Sequence, residues 1–194
     1  MIKTKEDLKY YLEQDRLNLR AKGKKPKRGR DEIWRYEIIL RHFEYYLNKE
    51  KKSFFDKLRL KHYRKLHHKL TVTYTTSIPP NVTGPGLSIG HIGTIYVNSK
   101  SKVGKNLRIQ SGVTVGGAAG KEKLPVLGDN VYLGSGCKVI GPVEIANDVA
   151  IGANAVVTKS ILEPGTTWAG VPARKISDNN SHAYMSKDVV EGGQ

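Results

Sequence analysis

Two hydrophobic periods run along this chain, and the change between them falls near Leu70. From Val97 every sixth residue is a branched aliphatic: Val97, Val103, Ile109 and Val115, then after an interruption Leu127, Leu133, Val139, Ile145, Ile151 and Val157. A second apolar series follows four residues behind: Leu107, Val113, Val131, Cys137, Val143, Val149, Ala155 and Ile161. Helices repeat every 3.6 residues and half-buried strands every two, so a strict period of six is neither. It fits a parallel β-helix, in which each hexad is one short strand and a turn, and three hexads close a triangular coil. The aliphatic residue points inward and stacks on its equivalents in neighbouring coils, giving a one-dimensional core. Gly104, Gly116, Gly128, Gly134 and Gly152 follow the aliphatic slot, where a corner requires permissive backbone.

The first seventy residues keep helical spacing instead. Thr4 with Asp7 forms a capping-box signature ahead of Leu8, Tyr11, Leu12 and Leu19. Gly, Pro and clustered charge break the pattern over 21–30 (AKGKKPKRGR), which predicts a loop. Asp31 is the expected cap of a second helix with the stripe Ile33, Tyr36, Leu40, Phe43 and Leu47. Ser53 is the expected cap of a third, carrying Phe54, Leu58 and Leu66. The predicted organisation is a basic helical segment over 1–70, a β-helix over 71–176 and a tail over 177–194. The fold class is mainly β.

Charge sharpens that division. Residues 1–70 hold 22 Lys/Arg against 10 Asp/Glu, a balance of +12 out of the chain's +15. Such a surface suits a polyanion or an anionic membrane, or is a solvated cap on the coil end. No zinc-ligand spacing, aromatic–basic signature or helix-turn-helix accompanies it, so nucleic acid is not an expected partner. No apolar run reaches the ~18 residues of a membrane span. The charged opening MIKTKEDLKYYLEQD is no secretory signal, and the single cysteine, Cys137, excludes a disulfide framework. A cytoplasmic protein, with peripheral contact at the inner face of the membrane, is the resulting expectation.

The hexads, together with GPGLSIGHIGTIYVN (84–98), SGVTVGG (111–117), AIGANAVV (150–157) and AGVPARKI (169–176), resemble the hexapeptide-repeat acyltransferases. Their coils wind left-handed, so the resemblance implies a left-handed parallel β-helix. Within that family the chain looks most like the serine acetyltransferase branch, and particularly like its relatives that O-acetylate sugars of bacterial surface polysaccharides. The resemblance implies acetyl-CoA as co-substrate, no metal, direct transfer without an acyl-enzyme, and a homotrimer with active sites between coils.

His91 is then the expected general base. Of six histidines it alone lies in the coil region, and counting back from Val97 would put it in an inward slot. An unpartnered imidazole there costs a few kcal/mol. The glycine-rich segment around it is therefore expected to shift the phase and present His91 at the surface. A positioned imidazole can remove the acceptor's hydroxyl proton as the thioester is attacked. Three β-helix histidines would be needed for a zinc site of the carbonic anhydrase kind, and the coils carry one. The family's loop between Val115 and Leu127 and the small corner residues imply a pantetheine path along Gly116, Gly117, Gly134, Ser135, Gly152, Ala153 and Ala169. Lys159, Arg174 and Lys175 are expected at the CoA phosphates. Gly90 and Thr76 stand where serine acetyltransferases carry acidic residues, and Leu124 where they carry a second histidine. Losing the partners of an amino-acid ammonium points to a carbohydrate hydroxyl as acceptor, with serine or an amino sugar as the alternatives.

Overall fold

The computed structural model describes residues 1–23 and 25–190, and the six-residue period becomes a three-sided parallel β-helix. The first face stacks Thr76–Ser77, Ile95–Val97, Thr114–Gly116, Lys138–Ile140 and Val156–Val157. The second stacks Lys102–Val103, Val126–Leu127 and Glu144–Ile145. The third stacks Ser88–Ile89, Arg108–Ile109, Tyr132–Leu133, Ala150–Ile151 and Thr167–Ala169, and closes with the antiparallel Arg174–Ser177. The register Lys138↔Val156 and Tyr132↔Ala150 sets a coil at eighteen residues, three hexads. Every residue of both apolar series is buried, from Val97 to Ile161. At the corner between the second and third faces, Asn106, Asn130 and Asp148 take positive φ of 56°, 56° and 61°. Asparagine and aspartate tolerate this left-handed conformation, and their side chains form a ladder of 2.8 Å hydrogen bonds.

Cys137 occupies an inward slot, and burial pushes its thiol up to about 12. The thiolate is the reactive form. At pH 8 a disulfide reagent is expected to find no titratable thiol in the native protein and one equivalent after denaturation; rapid native labelling would contradict this packing.

Three helices cover the first coil: α1 (Lys5–Asn18), α2 (Glu32–Asn48) and α3 (Phe54–Tyr74). Thr4 makes the expected capping box with Asp7, and Ser53 caps α3 as expected, closing a further capping box with Asp56. Asp31 does not cap α2 with its side chain; its carboxylate instead accepts from the Lys27 amide and the Arg30 guanidinium. α3 runs past the expected boundary to Tyr74, and Phe54 and Leu58 on it are exposed at 70% and 50%. It faces inward with Leu70 and Tyr74, which pack against the core, and with His67, whose Nε2 lies 3.1 Å from the Ile78 carbonyl oxygen.

The helices hold the coil through buried charge rather than through apolar packing alone. Arg41 of α2 donates to Asp15 of α1 at 2.7 Å, to Glu44 at 2.9 Å and to the carbonyls of Thr83 and Gly84. Asp15 accepts in turn from the amides of Gly86 and Leu87, both at 2.8 Å. Burial pushes Asp15 and Glu44 above the ordinary carboxylate range, with Arg41 pulling them back. Burial also opposes the charge on Arg41, but Asp15 and Glu44 outweigh it and keep the guanidinium protonated. α1–α3 thus realise the cap that an open solenoid end requires. Among the described residues no helix is long and apolar enough to cross a membrane.

The segment after the coils also docks. Ser181–Tyr184 forms a 3-10 turn and Lys187–Val190 a short helix, with Met185 and Val189 buried and Tyr184 stacked on Tyr132 at 4.0 Å.

Candidate active site

The corner between the third and first faces carries His91. On the other coils the inward residues flanking this corner are six apart, as in Ile109 to Val115 or Leu133 to Val139. On the first coil they are Ile89 and Val97, eight apart. Ile89 therefore fills the inward slot, and the two additional residues bulge outward with His91 exposed. That is the phase shift expected from the glycines around it.

Neighbouring groups fix both ends of the bulge. The Gly90 amide donates to the Ile109 carbonyl at 2.8 Å, continuing the ladder to the residue before His91. The Ile89 amide donates to Glu37 Oε1 at 3.0 Å. Burial pushes the Glu37 carboxyl well above its ordinary value, and the nearby Asp15 charge adds to the effect. On the far side the Thr76 hydroxyl lies 3.0 Å from the Gly93 carbonyl oxygen and 3.1 Å from that of Tyr74.

Gln110 is the residue that the sequence reading missed. It follows Ile109 on the third face, where the coils in register with it place Gly90, Gly134 and Gly152 in the same slot, and that exception was the available signal. A Cβ on Gly90 would sit 2.0 Å from Gln110 Oε1 and 2.5 Å from its Nε2. Gly90 is small because the amide of the next coil fills the space that its side chain would take.

Below Gln110 the same edge continues through Gly134, Gly152 and Ala169, which share its register. Gly134 and Gly152 donate from their amides to Ile151 and Trp168, both at 2.8 Å. A Cβ on Gly134 would lie 2.7 Å from the Ala153 amide nitrogen, so coil stacking alone demands glycine there. Ser135 and Ala153 are exposed along this edge. Gly116 and Gly117 lie on the opposite edge of the first face, where residues 117–125 leave the coil without forming a strand. Leu124 folds back toward Gly117, whose Cβ would come within 2.8 Å of its Cδ2. Lys159 is exposed two residues after Val157, on the same side as that loop. Arg174 pairs in register with Ala169 and is exposed. Lys175 is held 2.6 Å from both Glu163 and Asp178.

The structure thus joins His91, Gly134, Ser135, Gly152, Ala153 and Ala169 along one edge, with Arg174 at its end. Gly116, Gly117 and Lys159 line the neighbouring edge, and Lys175 is occupied by carboxylates. Among the described residues no cluster of three or more His, Cys, Asp or Glu is placed to hold a metal ion.

Residues 125–159 match the family model described as bacterial transferase hexapeptide (six repeats). Those residues carry the hexapeptide repeat. The chain is 38% identical over 103 residues to a serine acetyltransferase of Mycobacterium tuberculosis, a match that covers 52% of this chain and 44% of that protein. The chain spans about half the length of the curated relatives it matches. A solved serine acetyltransferase from Brucella abortus covers 91% of this chain and 72% of its own at a TM-score of 0.66, with 23% identity, a likeness of fold. A structure of serine acetyltransferase in complex with CoA matches at 29% identity and a TM-score of 0.56, over 74% of this chain and 55% of its own.

These relatives overturn the expectation of a carbohydrate acceptor in polysaccharide biosynthesis: they are serine acetyltransferases. That expectation rested on Gly90, Thr76 and Leu124, and each has a local packing reason. Gly90 admits Gln110, Thr76 ties down the Gly93 carbonyl, and Leu124 seats the loop against Gly117. Single positions that a coil repacks do not report the acceptor.

Proposed function

We propose that this chain is an acetyl-CoA-dependent serine O-acetyltransferase with His91 as its general base. The observation that carries the reading is the expanded corner: two additional residues expose one imidazole at the head of an edge of small residues, in a chain similar over about half its length to a serine acetyltransferase. The His91 imidazole removes the hydroxyl proton as the serine oxygen attacks the acetyl carbonyl. The tetrahedral intermediate then expels CoA as its thiolate, which the imidazolium protonates, returning neutral His91. No nucleophile of the protein is acylated, in keeping with the buried and protonated Cys137. The small-residue edge supports pantetheine lying along the coil toward Arg174, the exposed cation at its far end.

A threefold trimer supports the same reading, because it would set each His91 edge against a neighbouring coil and complete three equivalent sites. Sedimentation is expected to give three times the chain mass; a fully active monomer would contradict it. CoA release from acetyl-CoA, followed with and without serine, tests the activity. Serine-dependent release is the expected result, and release no faster with serine than without it would refute the assignment.

A further inference from the structure

The side of α3 that faces away from the cap is left in water. His67 is buried, and Leu70 and Tyr74 pack against the core. Opposite them, Phe54, Leu58, Lys61, Lys65 and Val72 recur at helical spacing and form one ridge. All five are exposed, and Phe55 beside the ridge is exposed at 68%. Phe54 and Phe55 meet edge to face at 5.8 Å between ring centroids, a contact that hides neither ring. The helix has 21 residues, so the face runs for about 31 Å.

Charge on this face has one sign. Residues 49–72 hold nine Lys/Arg against two carboxylates. Glu50 faces Lys3 at 4.0 Å, and Asp56 is buried under Lys49 and Ser53 as part of the helix cap. From Lys57 to Val72 the chain has no acidic residue. Lys57, Lys61 and Lys65 are exposed and have no ion-pair partner among the described residues. Where the helix starts, Phe55 borders a cavity of about 580 Å³ walled by Lys5, Lys51, Lys52 and Arg59.

We propose that the outer face of α3 docks the protein on an anionic phospholipid bilayer. Phe54, Phe55 and Leu58 enter the headgroup layer, while the lysines and the cavity at the helix start meet lipid phosphates. A helix with apolar and cationic groups on one side lies in the plane of such an interface, held by apolar burial and by attraction to anionic lipid together. A second copy of the chain is a poorer occupant. In a symmetric contact the same patch meets itself, so Lys57, Lys61 and Lys65 would face lysines with no carboxylate between them. A nucleic acid would satisfy the cations but leave two phenylalanines and a leucine in water.

The full-length protein is to be co-sedimented with vesicles of phosphatidylcholine, with and without phosphatidylglycerol, at low and at high salt. Binding is expected only with phosphatidylglycerol and should be lost at high salt. The triple variant Lys57→Gln, Lys61→Gln, Lys65→Gln should bind about a hundredfold more weakly. The double variant Phe54→Ser, Phe55→Ser should bind about tenfold more weakly, since less apolar surface enters the layer. Both variants alter exposed positions, so their far-ultraviolet circular dichroism should match that of the native protein. No binding to anionic vesicles at low salt overturns the proposal. So does full vesicle binding by the phenylalanine variant, or release of the native protein by duplex DNA or inorganic phosphate at equal ionic strength, because either shows a general polyanion surface. A lower sedimenting mass of the phenylalanine variant without lipid also overturns it, by showing that another copy covers this face.

Discussion

Replacing His91 by alanine is expected to lower kcat for serine acetylation by about 10²–10⁴-fold, the usual contribution of a positioned general base. The side chain is exposed on a corner bulge whose backbone is held by Gly90, Thr76 and Glu37, so its removal leaves the coil and its stability intact. Acetyl-CoA affinity should change little, because the proton is transferred only as the new bond forms. The loss should therefore appear in kcat and kcat/KM together. Steady-state kinetics with a thiol readout, paired with binding of a nonreactive CoA analogue, separates the two effects. Near-normal turnover in His91→Ala would remove the residue from the mechanism.

The second large effect is on stability. Arg41→Met is expected to cost about 3–5 kcal/mol, because it leaves Asp15 and Glu44 buried without their counter-charge. Both carboxylates are about 2% exposed, so water cannot take over from the guanidinium. The carbonyls of Thr83 and Gly84 lose their donor in the same substitution. Guanidinium unfolding of the single variant, set beside Arg41→Met combined with Asp15→Asn and Glu44→Gln, tests this. The triple variant should recover a substantial part of the loss, since neutral amides are cheaper to bury unpaired than carboxylates. A single variant within 1 kcal/mol of the native protein would show that the cap does not depend on this cluster.

The β-helix was legible because a solenoid is one-dimensional: each coil touches only its neighbours, so a sequence period is also a contact map. Hence Val97 to Val157 and Leu107 to Ile161 are all buried as their spacing implies. The phase break at His91 was readable for the same reason. The cap was not, since its tertiary contacts pair residues far apart in sequence without periodicity, such as Asp15 with Leu87. Helical spacing placed the stripe of α2 correctly for Tyr36, Leu40 and Phe43 but gave no sign that Arg41 and Glu37 turn inward with it. On α3 it misplaced Phe54 and Leu58, which face solvent because α2 and the coil are covered by other positions. The docking of Met185 and Val189 was invisible in so short an apolar pattern. At the site, His91 was found by its departure from the hexad. Gln110 went unnoticed although its partners in register on the third face, Gly90, Gly134 and Gly152, are all glycine; its amide lies against Gly90, the residue before His91.

Incubation of the purified protein with acetyl-CoA labelled in the acetyl group and with serine, analysed by mass spectrometry, asks directly where the acetyl group goes. The expected product is labelled O-acetylserine, formed with one CoA released per acetyl transferred and absent when His91→Ala replaces the native protein. Label that remains in acetyl-CoA or free acetate while serine stays unmodified would contradict it.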